Sequence, residues 1–82
     1  MRLEWFLWNF TDDEYQIIRV LIDQGETIKI TSIFDLPILD VFVRYEEFES
    51  LLKRSVKSVR ASGSNKGEGH ALEIFVWDNL IK

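Results

Sequence analysis

The chain of 82 residues contains no cysteine, a single histidine and a single proline. Without cysteine it cannot form a disulfide, a thiolate nucleophile or a cysteine metal site, and we expect it in a reducing compartment, the cytoplasm. A Ser-His-Asp triad would depend entirely on His70, which follows a glycine-containing loop. The sequence therefore predicts a protein that is not an enzyme and that uses no cofactor and no metal ion.

The sequence also lacks an unbroken apolar run of the roughly 18 residues that a membrane-spanning helix needs. The longest candidate, residues 28–45, is interrupted by Asp35, Asp40 and Arg44. The apolar N-terminus is short, Glu4 interrupts it, and no small-residue cleavage site follows, which is unlike a signal peptide. We therefore expect no association with a membrane.

Apolar residues are nevertheless plentiful, at 46% of the chain, and 13% of the residues are aromatic. A chain of this length and composition can bury one packed core and has little room for a second. We expect one α+β domain over residues 1–82.

The N-terminal residues 3–10 are predicted to form a strand, because aromatic residues favour strands and because the apolar residues occupy alternate positions. The two faces of this strand would carry Leu3, Trp5 and Leu7 on one side and Glu4, Phe6 and Trp8 on the other. Since both faces are apolar near its end, we expect each to be covered by another element or a partner.

Two further elements are predicted between residues 11 and 34. Thr11 is followed by Glu14 with the spacing of a capping box, and Gly25 is a typical helix stop, so we expect a helix over residues 12–24. The β-branched residues that follow have a period of two and predict a second strand, with Ile28 and Ile30 facing the core.

Pro37 leaves two interpretations open for the longest apolar stretch. If it separates two strands, residues 38–45 form a third strand, which the β-rich run VFV favours. If it lies in the first turn of a helix capped by Asp35, one long second helix runs from Leu36 to about Arg60, and the order becomes β-α-β-α-β.

With the strand interpretation, the rest of the chain completes a familiar order. Residues 46–60 have apolar residues at helical spacing, residues 61–69 are polar and glycine-rich, and the alternation from His70 onward predicts a last strand. The order β-α-β-β-α-β is that of a ferredoxin-like split βαβ domain, with a four-stranded antiparallel sheet and two helices on one face.

The formal charge of −4 makes this a small acidic protein, and the acids are concentrated in the N-terminal part. A net negative field disfavours nonspecific nucleic-acid binding, although a local basic patch can still contact phosphate. The residues that could contact an anion lie in the predicted second helix and the loop after it: Lys53, Lys57, Arg60 and Lys66. The alternative is that the acidic start of the first helix neutralises them.

Aromatic residues are predicted to share the sheet face that the helices leave open. Five rings would project from this face: Phe6, Trp8, Phe42, Phe75 and Trp77. An apolar surface of that size is rarely left in water, and it therefore indicates a protein partner or self-association.

The segments WFLWNF, residues 5–10, and FVRY, residues 42–45, resemble the first-strand and third-strand motifs of RNA recognition motif domains. The resemblance implies a four-stranded sheet on which Phe6 and Phe42 stack on RNA bases. Asp40 occupies the position of another stacking aromatic residue in that family, and an acid there repels phosphate.

The favoured hypothesis is a regulatory or inhibitory module for protein–protein interaction, which docks on a larger protein or on a second copy through the aromatic sheet face. The first alternative is a single-stranded RNA-binding domain, in keeping with the resemblance. The second is a domain that senses a small ligand.

Overall fold

The computed structural model describes residues 1–10, 12–63 and 70–80. Within these ranges the helices are α1 (Leu3–Phe10), α2 (Ile38–Val43) and α3 (Tyr45–Leu52), and the strands are β1 (Ile17–Asp23), β2 (Ile28–Pro37), β3 (Arg54–Gly63) and β4 (His70–Leu80). None of the helices in this part of the chain is long and apolar enough to cross a membrane. The α+β class predicted from the sequence is confirmed.

The four strands form one mixed sheet in the order β2-β1-β4-β3. The central strands β1 and β4 are parallel, in a register that runs from Ile18 opposite Leu72 to Asp23 opposite Trp77, and both outer pairs are antiparallel. The predicted orders β-α-β-β-α-β and β-α-β-α-β are therefore both wrong in detail, and the ferredoxin-like antiparallel sheet is not confirmed.

One face of the sheet packs against the three helices and forms the core. The strands contribute Ile18, Val20, Ile22, Ile33, Ile74 and Val76, and the helices contribute Leu3, Leu7, Ile38, Val41, Phe48 and Leu52. Since parallel pairing places Val20 beside Ile74 and Ile22 beside Val76, the two central strands present one continuous apolar surface to the helices. The opposite face has no helix over it in the described chain.

The N-terminal segment is a helix, and the predicted strand over residues 3–10 is wrong. Leu3 and Leu7 are four residues apart and almost wholly buried, whereas Trp5 and Trp8 are exposed. In a strand, Trp5 would share the face of Leu3 and Leu7, because every second residue projects from the same side, whereas a helix places Leu3 and Leu7 together and directs Trp5 elsewhere. Burial of the two leucines therefore outweighs the strand preference of the aromatic residues.

The helix predicted over residues 12–24 is also wrong, because residues 18–22 are buried in succession as the central strand β1. Because β1 has a neighbouring strand on each side, five successive residues are buried, and apart from Arg19 they form an apolar run that also fits a helix. The acidic segment before it forms a turn, in which Asp13 Oδ1 accepts a hydrogen bond from the backbone N–H of Tyr15 at 2.9 Å. Thr11, the proposed cap, lies outside the described residues.

Pro37 ends β2 and directly precedes α2, so the predicted third strand over residues 38–45 is wrong. The turn before β1 satisfies the start of α2, since the backbone N–H groups of Ile38 and Leu39 donate to the carbonyl oxygens of Gln16 and Glu14 at 3.0 and 2.8 Å. Over residues 38–43 the structure is closer to the long-helix alternative, since these residues are helical. The helix breaks at Arg44, where the backbone leaves helical geometry with φ −104° and ψ 37°.

The helix predicted over residues 46–60 is correct only as far as Leu52, because β3 begins at Arg54. The antiparallel pairing of β3 with β4 shows two register shifts, between Arg54 and Ser58. The predicted polar loop over residues 61–69 is replaced by β3 at its start, and residues 64–69 lie outside the described chain. The last strand, from His70, is confirmed as β4.

Candidate functional site

The uncovered side of the sheet, here called the open sheet face, is organised in three rows that cross the strands. The first row is Phe34, Arg19, Glu73 and Arg60; the second is Ile30, Leu21, Phe75 and Ser58; the third is Ile28, Asp23 and Trp77. Residues opposite one another in neighbouring strands project from the same face of a sheet. The middle row is therefore largely apolar, and the two outer rows combine apolar and charged side chains.

Each charged side chain of the outer rows has an oppositely charged partner. Arg60 Nε lies 2.6 Å from Glu73 Oε1, and Arg19 Nη1 lies 3.8 Å from Glu73 Oε2. Arg19 also donates two hydrogen bonds to the carboxylate of Asp35. At the other end of the face, Lys57 pairs with Asp23. Counted together with the partners Asp35 and Lys57, the charged side chains of each outer row sum to zero.

Three of these cations also lie over aromatic rings of the same face. The guanidinium carbon of Arg19 is 5.2 Å from the centre of the Phe34 ring, that of Arg60 is 5.2 Å from Phe75, and Lys57 Nζ is 4.9 Å from Trp77. Cation–ring contacts of this kind contribute about 0.5–1 kcal/mol at exposed sites. They restrain the rings on this face.

Large apolar side chains are exposed on this face. Ile30 is 63% exposed, and Ile28, Phe34 and Trp77 are each between 40% and 48% exposed. Apolar residues scattered singly are usual at a protein surface, but a contiguous group indicates an interaction site. The open sheet face is therefore the candidate site.

Arg19 is the one buried charged residue in the described part of the chain, and it is held from several sides. Hydrogen bonding to Asp35 raises the pKa of the Arg19 guanidinium; burial acts in the opposite direction, and the nearby carboxylates of Asp35 and Glu73 raise the pKa further. Asp35 has a left-handed backbone conformation with φ 57°, which costs energy in residues other than glycine. This conformation accompanies the irregular pairing of β2 with β1.

Asp23 is tied to the turn between β1 and β2 as well as to β3. Hydrogen bonding to Lys57 lowers the pKa of Asp23, and the backbone N–H of Gly25, which donates to Asp23 Oδ1 at 2.8 Å, lowers it further. Gly25 has φ 94°, a conformation that glycine adopts without strain. The turn and the charge pair therefore fix one end of the open sheet face.

Removing the Lys57 charge with Lys57→Met is expected to raise the pKa of Asp23 toward the ordinary value of about 3.9. Because the pKa of Asp23 is lower in the folded than in the unfolded state, its contribution to stability is present above about pH 4 and disappears as the pH falls through the folded-state pKa. Wild-type protein should therefore lose more stability than Lys57→Met between pH 5 and acid pH. Carbon-detected NMR titration of the Asp23 carboxyl and urea unfolding at each pH measure both effects.

The matched control is Lys29→Met, which removes an exposed lysine from β2 and should leave the Asp23 titration unchanged. If the pKa of Asp23 is the same in wild type and Lys57→Met, the ion pair does not hold this carboxylate.

The five aromatic residues predicted for one face are divided between two surfaces. Phe75 and Trp77 lie on the open sheet face as expected. Phe6 and Trp8 belong to α1 and Phe42 to α2, on the helix side of the sheet, so their predicted position is wrong. Trp8 and Phe42 contact each other there, with ring centres 5.8 Å apart and planes at 84°.

The predicted anion-contact residues do not form one patch. Lys57 and Arg60 lie on β3, each paired with a carboxylate of the open sheet face. Lys53 lies at the end of α3, and its Nζ is 2.7 Å from Glu49 Oε1. Lys66 lies outside the described residues. Each described lysine or arginine of this group is thus neutralised locally, and the acids that do so do not come from the segment predicted as the start of the first helix.

The residues matched to RNA recognition motifs also have a different setting from the one that the resemblance implies. Phe6 and Phe42 lie in helices, whereas base stacking in that family requires neighbouring strands. These two residues therefore cannot form the predicted stacking platform on the sheet.

Sequence reasoning missed Phe34, Ile28 and Ile30 as residues of the face. Ile28 and Ile30 were assigned to the core, but they project outward, and Ile33 is the buried residue of β2. The side chains of β2 alternate regularly from Ile28 to Phe34, so Ile28, Ile30 and Phe34 share the outward face and Ile33 lies on the buried one. The spacing of three residues between Ile30 and Ile33 is the signal in the sequence, because residues three apart in a strand project from opposite faces.

Few side chains in the described part of the chain are placed for metal binding or proton transfer. Within residues 1–10, 12–63 and 70–80, no group of three or more His, Asp or Glu side chains is arranged to hold a metal ion. His70 is exposed at the start of β4, where its carbonyl oxygen accepts a hydrogen bond from the Gln16 side chain at 2.6 Å.

Comparisons with family models, with curated proteins and with solved structures find no match for this chain. The function is therefore inferred from the geometry of the open sheet face.

Proposed function

We propose that this protein is a non-enzymatic regulatory or inhibitory module, which docks on a larger protein through the open sheet face. The observation that carries the proposal is that four large apolar side chains are exposed on one face of the sheet, namely Ile28, Ile30, Phe34 and Trp77. The cytoplasm is the proposed setting, because the chain has no cysteine with which to form disulfides.

The charge distribution of the face supports a protein partner. Its lysine and arginine side chains are already paired with Asp23, Asp35 and Glu73. Phosphate-rich partners such as nucleic acids gain most of their affinity from unpaired lysine and arginine side chains, which displace the counterions of the phosphates. An apolar face with internally neutralised charges favours an apolar protein surface over a nucleic acid.

The residue composition of the open sheet face also resembles that of protein interfaces. Aromatic and arginine residues, of which this face has Phe34, Phe75, Trp77 and Arg60, contribute most of the binding energy at such sites. The pairing network fixes these side chains before binding, which reduces the entropy lost on association.

The proposal is tested by replacing Trp77 with a photoreactive phenylalanine derivative in the cells that naturally produce the protein. Illumination should yield one adduct with a larger protein, and the same substitution at the exposed helix residue Val43 should not. After purification of that partner, Trp77→Ser and Ile30→Ser should each weaken binding about 30-fold, equivalent to about 2 kcal/mol.

Three outcomes would contradict the proposal: no adduct from position 77, equal adducts from positions 43 and 77, or unchanged affinity in both serine variants. An adduct of twice the mass of the chain would identify a second copy as the occupant. Because Trp77 is about half exposed, circular dichroism and thermal unfolding of Trp77→Ser should show an unchanged fold.

A further inference from the structure

A second surface on the helix side of the molecule consists of two adjoining hollows that share Trp8 and Phe42. The first, of about 300 Å³, is lined by Glu4, Trp5, Trp8 and Phe42. The second, of about 290 Å³, is lined by Leu7, Trp8, Asp12, Glu14, Ile38, Leu39 and Phe42. We call this surface the aromatic groove.

The two tryptophan rings of the groove are strongly exposed. Trp8 is 75% and Trp5 59% exposed, although both belong to the short helix α1 whose other side is in the core. Trp8 and Phe42 meet nearly at right angles and form a corner of two ring planes. Two tryptophans on one helix side, beside a third ring, present an apolar area that isolated surface residues do not.

The groove is acidic. Among the described residues that line the two hollows, none is basic, and three are carboxylates: Glu4, Asp12 and Glu14. Glu4 is held in place because its Oε2 accepts a hydrogen bond from the Tyr45 hydroxyl at 2.7 Å, and this bond raises the pKa of Tyr45. Exposed Arg2 lies 3.7 Å from the other oxygen of Glu4.

Two acidic residues of the turn before β1, Asp12 and Glu14, have no such arrangement. No ion pair joins Asp12 or Glu14 to a cation within the described ranges of the chain. The backbone keeps the turn beside the groove, because the carbonyl oxygen of Glu14 accepts a hydrogen bond from the N–H of Leu39 at 2.8 Å. The backbone of this turn is thus held beside the groove, and the charges of Asp12 and Glu14 are available.

Other aromatic residues of this protein already have a cation above them. Lysine or arginine groups lie over Phe34, Phe48, Phe75 and Trp77 at 4.9 to 5.2 Å. Over Trp5, Trp8 and Phe42, no described residue supplies a cation. Tryptophan is the aromatic residue that attracts cations most strongly, and nearby carboxylates add to the attraction.

We infer that the aromatic groove binds a basic segment of a partner protein. A lysine or arginine side chain of that segment lies over Trp5, Trp8 and Phe42, its charge is neutralised by Glu4, Asp12 and Glu14, and a neighbouring apolar side chain contacts Leu39. The charge complementarity selects this occupant, since an acidic groove repels nucleic acid and acidic segments. This contact is independent of the open sheet face.

NMR with a defined probe tests the inference. The probe is a short acetylated and amidated peptide of lysine, arginine and leucine, and its matched control carries glutamate at every basic position. The basic peptide should shift the indole N–H signals of Trp5 and Trp8 and leave that of Trp77 unchanged. The acidic peptide should shift none, and added salt should weaken the binding of the basic peptide.

Variants separate the contribution of the rings from that of the charges. Trp8→Ala should weaken peptide binding about tenfold or more, in keeping with the loss of a buried aromatic contact at an interface. Asp12→Asn with Glu14→Gln should weaken it about threefold to tenfold, by analogy with close charge pairs. The control Glu26→Gln with Glu46→Gln removes the same charge from exposed positions outside the groove and should leave the affinity unchanged.

Equal binding of the acidic peptide, equal shifts at Trp77, or an unchanged affinity in Trp8→Ala would each overturn the inference. Because Trp8 is largely exposed, Trp8→Ala should retain the wild-type thermal unfolding midpoint, which shows that lost binding does not reflect lost folding. Failure of this test leaves the proposal for the open sheet face untouched, since that proposal depends on Trp77 and Ile30.

Discussion

Phe48→Ala is expected to lower the free energy of unfolding by about 3–5 kcal/mol. Phe48 is 2% exposed and belongs to the core cluster that joins α3 to the sheet. Its truncation removes a large apolar surface and leaves a cavity that the surrounding strands can fill only in part. Small domains are often stable by only about 5–15 kcal/mol, so this change removes much of the total.

Urea unfolding followed by circular dichroism measures the effect, with Phe34→Ala as a control of the same chemical change. Phe34 is 40% exposed on the edge strand β2, and its truncation should cost less than half as much as that of Phe48. Equal losses in the two variants would contradict the placement of α3 against the sheet.

Leu7→Ala is expected to lower the free energy of unfolding by about 2–5 kcal/mol, which makes α1 an integral part of the core. Leu7 is 1% exposed and lies one helical turn after the fully buried Leu3. The start of the chain is also fixed at β3, because the carbonyl oxygen of Met1 accepts a hydrogen bond from the N–H of Val56 at 2.7 Å. Loss of the Leu7 side chain therefore loosens both the helix and its attachment.

A companion variant shows whether this segment is a helix or a strand. In a strand Trp5 and Leu7 would share a face, whereas in the helix Trp5 is exposed while Leu7 is buried. We expect Trp5→Ala to change stability by only about 0.5 kcal/mol, in line with other surface substitutions. A large loss in Trp5→Ala together with a small one in Leu7→Ala would support the strand.

The elements that could be predicted from the sequence are those whose local pattern agrees with their tertiary setting. The β-branched alternation of β2 and the apolar alternation of β4 both follow the period of two, and residues 46–52 follow the helical period. Such segments need no information about distant residues. The α+β class follows from them.

The segments that could not be predicted are those in which a distant contact decides between two allowed patterns. Val56 and Val59 are three residues apart and fit a helix, but the residues around them pair with β4. Residues 3–10 favour a strand by composition, but burial of Leu3 and Leu7 selects a helix. Neither pairing nor burial can be read from a single segment.

The candidate site could be predicted only in part for the same reason. Phe75 and Trp77 were placed on the open face because the period of β4 is regular. Phe34 is missed because the alternation of β2 does not show by itself which of its two faces is buried. Phe6, Trp8 and Phe42 were placed on the wrong surface because their elements are helices.

The parallel pairing of β1 with β4 has a consequence for how fast the protein folds. Each outer pair joins strands that follow one another along the chain, whereas the central pair joins residues about as far apart as Gln16 and His70, which are separated by 54 positions. Contacts between distant residues slow folding, because the entropy of closing a long loop is lost before the contacts form. We expect the two hairpins to form early, and the search for the correct register between them to determine the folding rate.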